Sequence, residues 1–119
     1  MRKVLLDTSF ILSCIRNKID FFEEIPLMGI QMIIPEEVIL EVERFKDRKT
    51  EADVALAMIN QNHDKFEKIE FGKGHVDSKI IEYANNENDF IVGTLDKEIK
   101  EKLNGKSMVI REKKRLEIV

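Results

Sequence analysis

The 119-residue chain has one cysteine, two prolines and five glycines, and no apolar run approaches the ~18–20 residues that span a bilayer. A single cysteine excludes an internal disulfide and a cysteine-based zinc module, and it suits a reducing compartment. Only three apolar residues, Val4-Leu5-Leu6, separate Met1-Arg2-Lys3 from Asp7. That stretch is too short for a secretory leader, and no small-residue cleavage site follows it. No Gly/Ser/Pro linker, internal repeat or low-complexity tract divides the sequence. The expectation is therefore one domain over residues 1–119, cytoplasmic and independent of membranes. Nucleotide-binding signatures are missing too. There is no GxxxxGK[ST] loop and no GxGxxG, and Gly72-Lys73-Gly74 is too short to cradle phosphates. His63 and His75 lie outside any HExxH pattern, and Cys14 falls on an apolar stripe, as a core residue would.

An excess of one charge is also lacking: 20 basic and 23 acidic residues give a net charge of -3. Taken as an average, that argues against a nucleic-acid partner, because such proteins usually present a basic face. The distribution says otherwise. Residues 97–115 carry eight Lys or Arg against three Glu, a net of +5, which leaves -8 for the rest of the chain.

What the chain does contain is 43% hydrophobic residues, enough for a buried core. They fall in short runs. Val4-Leu5-Leu6, Met32-Ile33-Ile34, Phe90-Ile91-Val92 and Met108-Val109-Ile110 read as buried strands, the last of these closing the series. Phe66 to Phe71 alternates and reads as a strand covered on one side. Helical spacing appears over Ser9 to Arg16, Ile19 to Leu27, and a helix opened by Pro35 that carries Val38, Ile39, Val42 and Phe45. It recurs after an N-cap-like Thr50-Glu51-Ala52-Asp53, around Ile80, Ile81 and Ala84, and from Asp96 to Leu103. Strands alternating with helices predict an α/β fold with a parallel sheet. The apolar run Phe21 to Met28 fits either core or a partner surface.

In such sheets ligands bind beyond the carboxyl ends of the strands. Four acids meet that condition. Asp7 ends the first strand. Glu41 lies three residues after Val38 and four before Phe45, on the apolar stripe of its helix. Asp77 precedes Ile80, Ile81 and Ala84 by three, four and seven residues. Asp96 follows Val92 by four. Each has an ordinary alternative: capping for Asp7 and Asp96, a helix-dipole partner for Asp77, a snorkelling side chain for Glu41. Together they predict a crowd of carboxylates, which must be protonated or hold cations. Oxygen donors without His or Cys favour Mg2+ or Mn2+ over Zn2+, and such ions organise phosphoryl chemistry.

The quoted segments resemble the PIN-domain nucleases nearly end to end. Val4-Leu5-Leu6-Asp7-Thr8-Ser9 is similar to the first-strand motif of that family. Ile34-Pro35-Glu36-Glu37-Val38-Ile39-Leu40-Glu41-Val42-Glu43 is similar to the second, with Glu41 as its acid and Glu37 or Glu43 as fallback if the register slips. Val76-Asp77-Ser78-Lys79-Ile80-Ile81 matches the third, and Ile91-Val92-Gly93-Thr94-Leu95-Asp96-Lys97-Glu98-Ile99 the fourth. The resemblance implies a three-layer α/β/α sandwich around a mainly parallel sheet. It implies a Mg2+- or Mn2+-dependent endoribonuclease in which Asp7, Glu41, Asp77 and Asp96 hold metal, supported by Ser9 and Thr94. Two departures stand out: His75-Val76 where many relatives have an extra acid, and Leu95 where many have Asn.

Lys97, Lys100, Arg111, Lys113 and Arg115 are the expected RNA contacts. The role implied is rRNA processing or that of a VapC-type toxin, with an antitoxin or ribosome-assembly partner and a homodimer as expected associations. The alternative is a catalytically inactive PIN-like RNA-binding or ribosome-assembly module. An aspartyl-phosphate protein is a further alternative, but a dehalogenase would need a second Asp where Ser9 stands, and no receiver-type acidic pair is evident.

Overall fold

The computed structural model describes residues 2–119. Its sheet is built on the predicted apolar runs: β1 (Lys3–Leu6), β2 (Gln31–Pro35), β4 (Phe90–Gly93) and β5 (Lys106–Arg111), with β3 (Phe66–Ile69) and β6 (Arg115–Ile118) at its edges. The order is β3-β2-β1-β4-β5-β6, with every pairing parallel except β5 with β6. The chain winds outward from β1 to β2 and β3, then returns to place β4 on the other side of β1. Loops leaving β1 and β4 therefore diverge, and the crevice between them is where such a sheet accepts a ligand.

Helices cover both faces. Alternation sends Val4, Leu6, Met32, Ile34, Ile91 and Met108 to one side, where α1 (Thr8–Arg16), α2 (Phe21–Leu27), α3 (Glu36–Arg44) and α4 (Thr50–Gln61) pack. Leu5, Ile33, Phe90 and Val92 point the other way, toward Ile80 and Ala84 of α5 (Val76–Asn85) and Ile99 of α6 (Lys97–Lys102). The result is the three-layer α/β/α sandwich. Because β1 and β4 are buried on both faces, they read as unbroken apolar runs rather than alternating ones. Cys14 is buried in the core, and its thiol is pushed far above its ordinary range by that burial.

Gly93 shows how tightly α1 sits on the sheet. A Cβ there would stand 3.1 Å from the Phe10 ring and 3.2 Å from Leu6 Cδ2. The glycine lets Phe10 close over the end of β4, directly below Thr94.

Some expectations needed correction. Met108-Val109-Ile110 is not the last strand, and Val109 and Ile110 are only half-buried. The chain turns back into β6, whose Leu116 and Ile118 join the core. Arg115 and Glu117 alternate with Leu116 and Ile118, too short an apolar pattern to stand out beside the basic stretch 97–115. Pro35 closes β2 and precedes α3 as its cap residue, with φ -64° and ψ 145°, so its backbone is still extended. Thr50 is the first residue of α4, with Lys49 at the cap and no side-chain capping bond. The Phe21 to Met28 segment divides: Phe21, Phe22 and Ile25 are core, while Leu27 is 80% exposed. No helix among the described residues is long and apolar enough to cross a membrane.

Candidate active site at the carboxyl edge of the sheet

Asp7 is the centre of the site. It caps α1 by accepting from its neighbour Thr8 N at 2.8 Å, and it is 7% exposed. Its second oxygen accepts from the Thr94 hydroxyl at 2.8 Å and from Ser9 Oγ at 3.5 Å. Thr94 is fully buried, and its hydroxyl also accepts from Asp96 N at 3.1 Å. One oxygen thus ties the loop after β4 to the loop after β1. Ser9 does the same from the other side, because its Oγ accepts from Leu95 N at 3.1 Å. Asp96 caps α6 by accepting from Glu98 N at 2.9 Å, so its capping alternative holds as well.

The capping roles do not exhaust these acids. Burial raises the Asp7 carboxyl above the ordinary carboxylate range, against the lowering effect of the Thr94 and Thr8 hydrogen bonds. Asp77 and Glu41 raise it further by charge repulsion. Asp77 is likewise raised, first by desolvation and then by Asp96, Glu41 and Glu98, with His75 acting in the opposite direction. These interactions bring Asp7, Glu41, Asp77 and Asp96 into one electrostatic neighbourhood, although they come from four separate segments. Glu41 is half-buried on α3 and Asp77 is exposed at the start of α5. A cleft of about 200 Å3 lies between α5 and α6, lined by His75, Asp77, Asp96 and Glu98 among others.

Glu98 was not anticipated. It stands two residues beyond Asp96 in the first turn of α6, and that spacing was the available signal. Thr8 is a second residue passed over: its hydroxyl is buried beside Asp7 without a hydrogen-bond partner. Glu37, a fallback acid in the sequence, is committed elsewhere. Its carboxylate accepts from Phe71 N at 3.2 and 3.1 Å and from Gly72 N at 3.2 Å, which clasps the loop leading from β3 to α5. Glu43 is exposed.

The donor chemistry of the site suits a hard divalent cation. It offers oxygen ligands, with a buried carboxylate at Asp7 raised by desolvation and then by neighbouring acids. Among the described residues no three of these side chains converge tightly enough to grip an ion as they stand. Mutual repulsion favours such a spread arrangement, and Glu41 and Asp77 are long or exposed enough to move inward.

The basic residues occupy the same edge. Lys97 is exposed in the first turn of α6 and Lys100 is half-buried further along it. Arg111, Lys113 and Arg115 belong to the β5–β6 hairpin. Arg111 is paired with Glu117 at 3.5 Å, and Arg115 with Glu112 at 3.7 Å and Glu117 at 4.0 Å.

A model of the family described as "PIN like domain" matches residues 4–115, all four acids included. The chain belongs to the PIN-like domain family. A curated relative, "Ribonuclease VapC4" of Methanocaldococcus jannaschii, is 31% identical over 127 residues, covering 99% of this chain and 97% of that protein. The fold is also that of "the PIN domain endonuclease Utp24", with a TM-score of 0.78 at 23% identity over 98% of this chain and 90% of the other. A VapBC2 structure from Rickettsia felis, solved with a promoter DNA fragment, aligns with a TM-score of 0.62 at 15% identity, covering 88% and 98% of the two chains. This is a PIN-domain nuclease by family, with an α/β fold to match.

Proposed function

We propose that the protein is a Mg2+- or Mn2+-dependent endoribonuclease that hydrolyses RNA phosphodiester bonds at Asp7, Glu41, Asp77 and Asp96. The observation that carries this reading is the Thr94 hydroxyl bridging Asp7 to the Asp96 backbone, next to two further acids that disfavour the Asp7 charge. Burial beside Asp77 and Glu41 opposes the Asp7 charge that the Thr94 and Thr8 bonds favour, and such opposed environments are characteristic of groups arranged for chemistry. The four carboxylates would hold the cation. Its chemistry, when bound, is activation of water and offsetting of charge on the leaving oxygen. The chain's own contribution is orientation. Thr8 N, Ser9 and Thr94 hold Asp7 in one rotamer, and Glu98 N occupies one oxygen of Asp96. Among the described residues the other Asp96 oxygen makes no hydrogen bond. Lys97, Lys100 and Lys113 supply positive charge for the RNA backbone, which makes binding salt-dependent.

The relative named a VapC ribonuclease supports RNA as substrate and an antitoxin as partner; the rRNA-processing role is the other reading that the family allows. A toxin gene should neighbour a small antitoxin gene, and a processing enzyme's should not. A homodimer would cover the exposed Leu27 and the apolar groove beside it, which measures about 540 Å3.

The deciding assay is cleavage of single-stranded RNA with Mg2+ or Mn2+ omitted, added and then chelated. Wild type should cut only with metal, and Asp7→Asn should not cut; equal cleavage by both sinks the assignment. The spread of the carboxylates gives the second reading its support, an inactive RNA-binding or ribosome-assembly module. Mn2+ titration calorimetry separates the two, since heat that disappears in Asp96→Asn belongs to the enzyme and not to the inert module.

A further inference from the structure

The β5–β6 hairpin rises well above the site. Met108 lies opposite Gly93, the last residue of β4, yet β5 continues three residues further to Arg111. At ~3.3 Å per residue its end stands about 10 Å beyond the edge from which Thr94 and Asp7 emerge. One face of this projection is anchored, because Ile110, Leu116 and Ile118 pack against the core. The opposite face carries Arg111, Arg115 and Glu117, which are joined to one another and to Glu112 by the ion pairs already described.

The tip has an unusual backbone. Glu112 and Lys113 both adopt left-handed conformations, with φ of 55° and 58°, where glycine or asparagine is the ordinary choice. Lys114 N donates to Arg111 O at 3.0 Å and closes the turn. Lys113 and Lys114 are exposed, and among the described residues neither makes a salt bridge. A strained turn that retains lysine where glycine would relax it invites a functional explanation.

Charge across the edge is one-sided. Residues 111–117 contain four basic residues and two acids, whereas residues 36–43, leaving β2 on the far side of Asp7, contain four glutamates and no base, with Glu36 paired to Lys68 at 3.1 Å. A polyanion over the acidic site is therefore drawn toward the hairpin and repelled from α3.

We propose that the β5–β6 hairpin is a preformed arm that grips the RNA backbone through Lys113 and Lys114, with Arg111 and Arg115 as its internal struts rather than its contacts. The arm holds the strand on the β5–β6 side of the cleavage site. This rests on the ribonuclease reading for its ligand, but not on catalysis. It also revises the expected contacts, because Lys114 joins them and two arginines leave.

The test is fluorescence-anisotropy binding of a labelled single-stranded RNA in EDTA, titrated with salt. Each phosphate contact on a single strand contributes about 0.7 to the slope of log affinity against log salt, so K113Q/K114Q should flatten it by about 1.4 and weaken low-salt binding roughly tenfold. Arg111→Gln should leave the slope near that of wild type. Lys113→Gly removes one cation while relaxing the turn. It should weaken RNA binding with no loss of thermal stability, which separates a contact from a folding defect. An unchanged slope in K113Q/K114Q overturns the proposal, as does a flattened slope in Arg111→Gln alone. Weakened binding of an acidic peptide with RNA binding intact would overturn it too, by assigning the arm to a protein partner. Because binding is read without metal, failure of the arm is distinct from failure of the nuclease reading, which the metal-dependent cleavage assay reports.

Discussion

Thr94→Val isolates the bridge on which the site depends. The substitution keeps the β-branched shape in a fully buried position and removes only the hydroxyl. Two hydrogen bonds are lost: the one donated to Asp7 Oδ2 at 2.8 Å and the one accepted from Asp96 N at 3.1 Å. A bond to a charged group contributes about 1.5–3 kcal/mol and a neutral one about 0.5–1.5 kcal/mol. Burying a methyl in place of the hydroxyl returns up to about 0.8 kcal/mol. The expected destabilisation at neutral pH is then about 1–4 kcal/mol. Its pH dependence follows from Asp7. Thr94 holds the folded pKa of Asp7 down against the burial that raises it, so the bond favours the ionised carboxylate. The charge-assisted part is present above the folded pKa and disappears as acid protonates Asp7. Urea unfolding of both proteins in EDTA, at pH 7 and again below the Asp7 pKa, measures the two values. A difference under about 0.5 kcal/mol at pH 7, within the range of an ordinary surface substitution, would refute the reasoning. So would an equal difference at both pH values.

Asp7→Asn should stabilise the metal-free protein at neutral pH while abolishing cleavage. Burial holds the folded pKa of Asp7 above that of an ordinary carboxylate, so the wild-type protein loses stability as pH rises from the unfolded pKa to the folded one. Asparagine keeps the capping oxygen and carries no charge; a melting temperature in EDTA that is lower than wild type at pH 7 would contradict this. Gly93→Ala should destabilise by about 1–3 kcal/mol, because the added carbon stands 3.1 Å from the Phe10 ring and overpacks the core; chemical denaturation reads it directly. Glu37→Gln should loosen the loop before α5, since the charged acceptor for Phe71 N and Gly72 N is lost. Faster hydrogen exchange at those two amides is the expected signature, with a stability loss of about 1 kcal/mol.

The strands were legible because burial on both sheet faces demands unbroken apolar runs, and Val4-Leu5-Leu6 and Phe90-Ile91-Val92 meet that demand. β6 was not, because only Leu116 and Ile118 of its residues are apolar, they alternate with Arg115 and Glu117, and the strand starts inside the basic tract 97–115. The acids of the site were visible as a pattern, because each lies a fixed number of residues from a strand end or an apolar helix position. Glu37 shows the limit of such spacing. It stands four residues from Glu41 on the same helix, and only its bond to a loop 34 residues away separates the two roles.

What the chain determines locally is the alternation of elements, the placement of Asp7 and Asp96 as helix caps, and the unequal distribution of charge. These follow from hydrophobic period and side-chain chemistry within a few residues. The tertiary structure decided the rest. Sheet order set β4 beside β1, and so brought Thr94 to Asp7 across 87 residues. Strand register carried β5 past the end of β4 and made the end of the basic stretch a projecting arm. Order and register arise from how two faces of side chains pack at once, a constraint that no single segment contains.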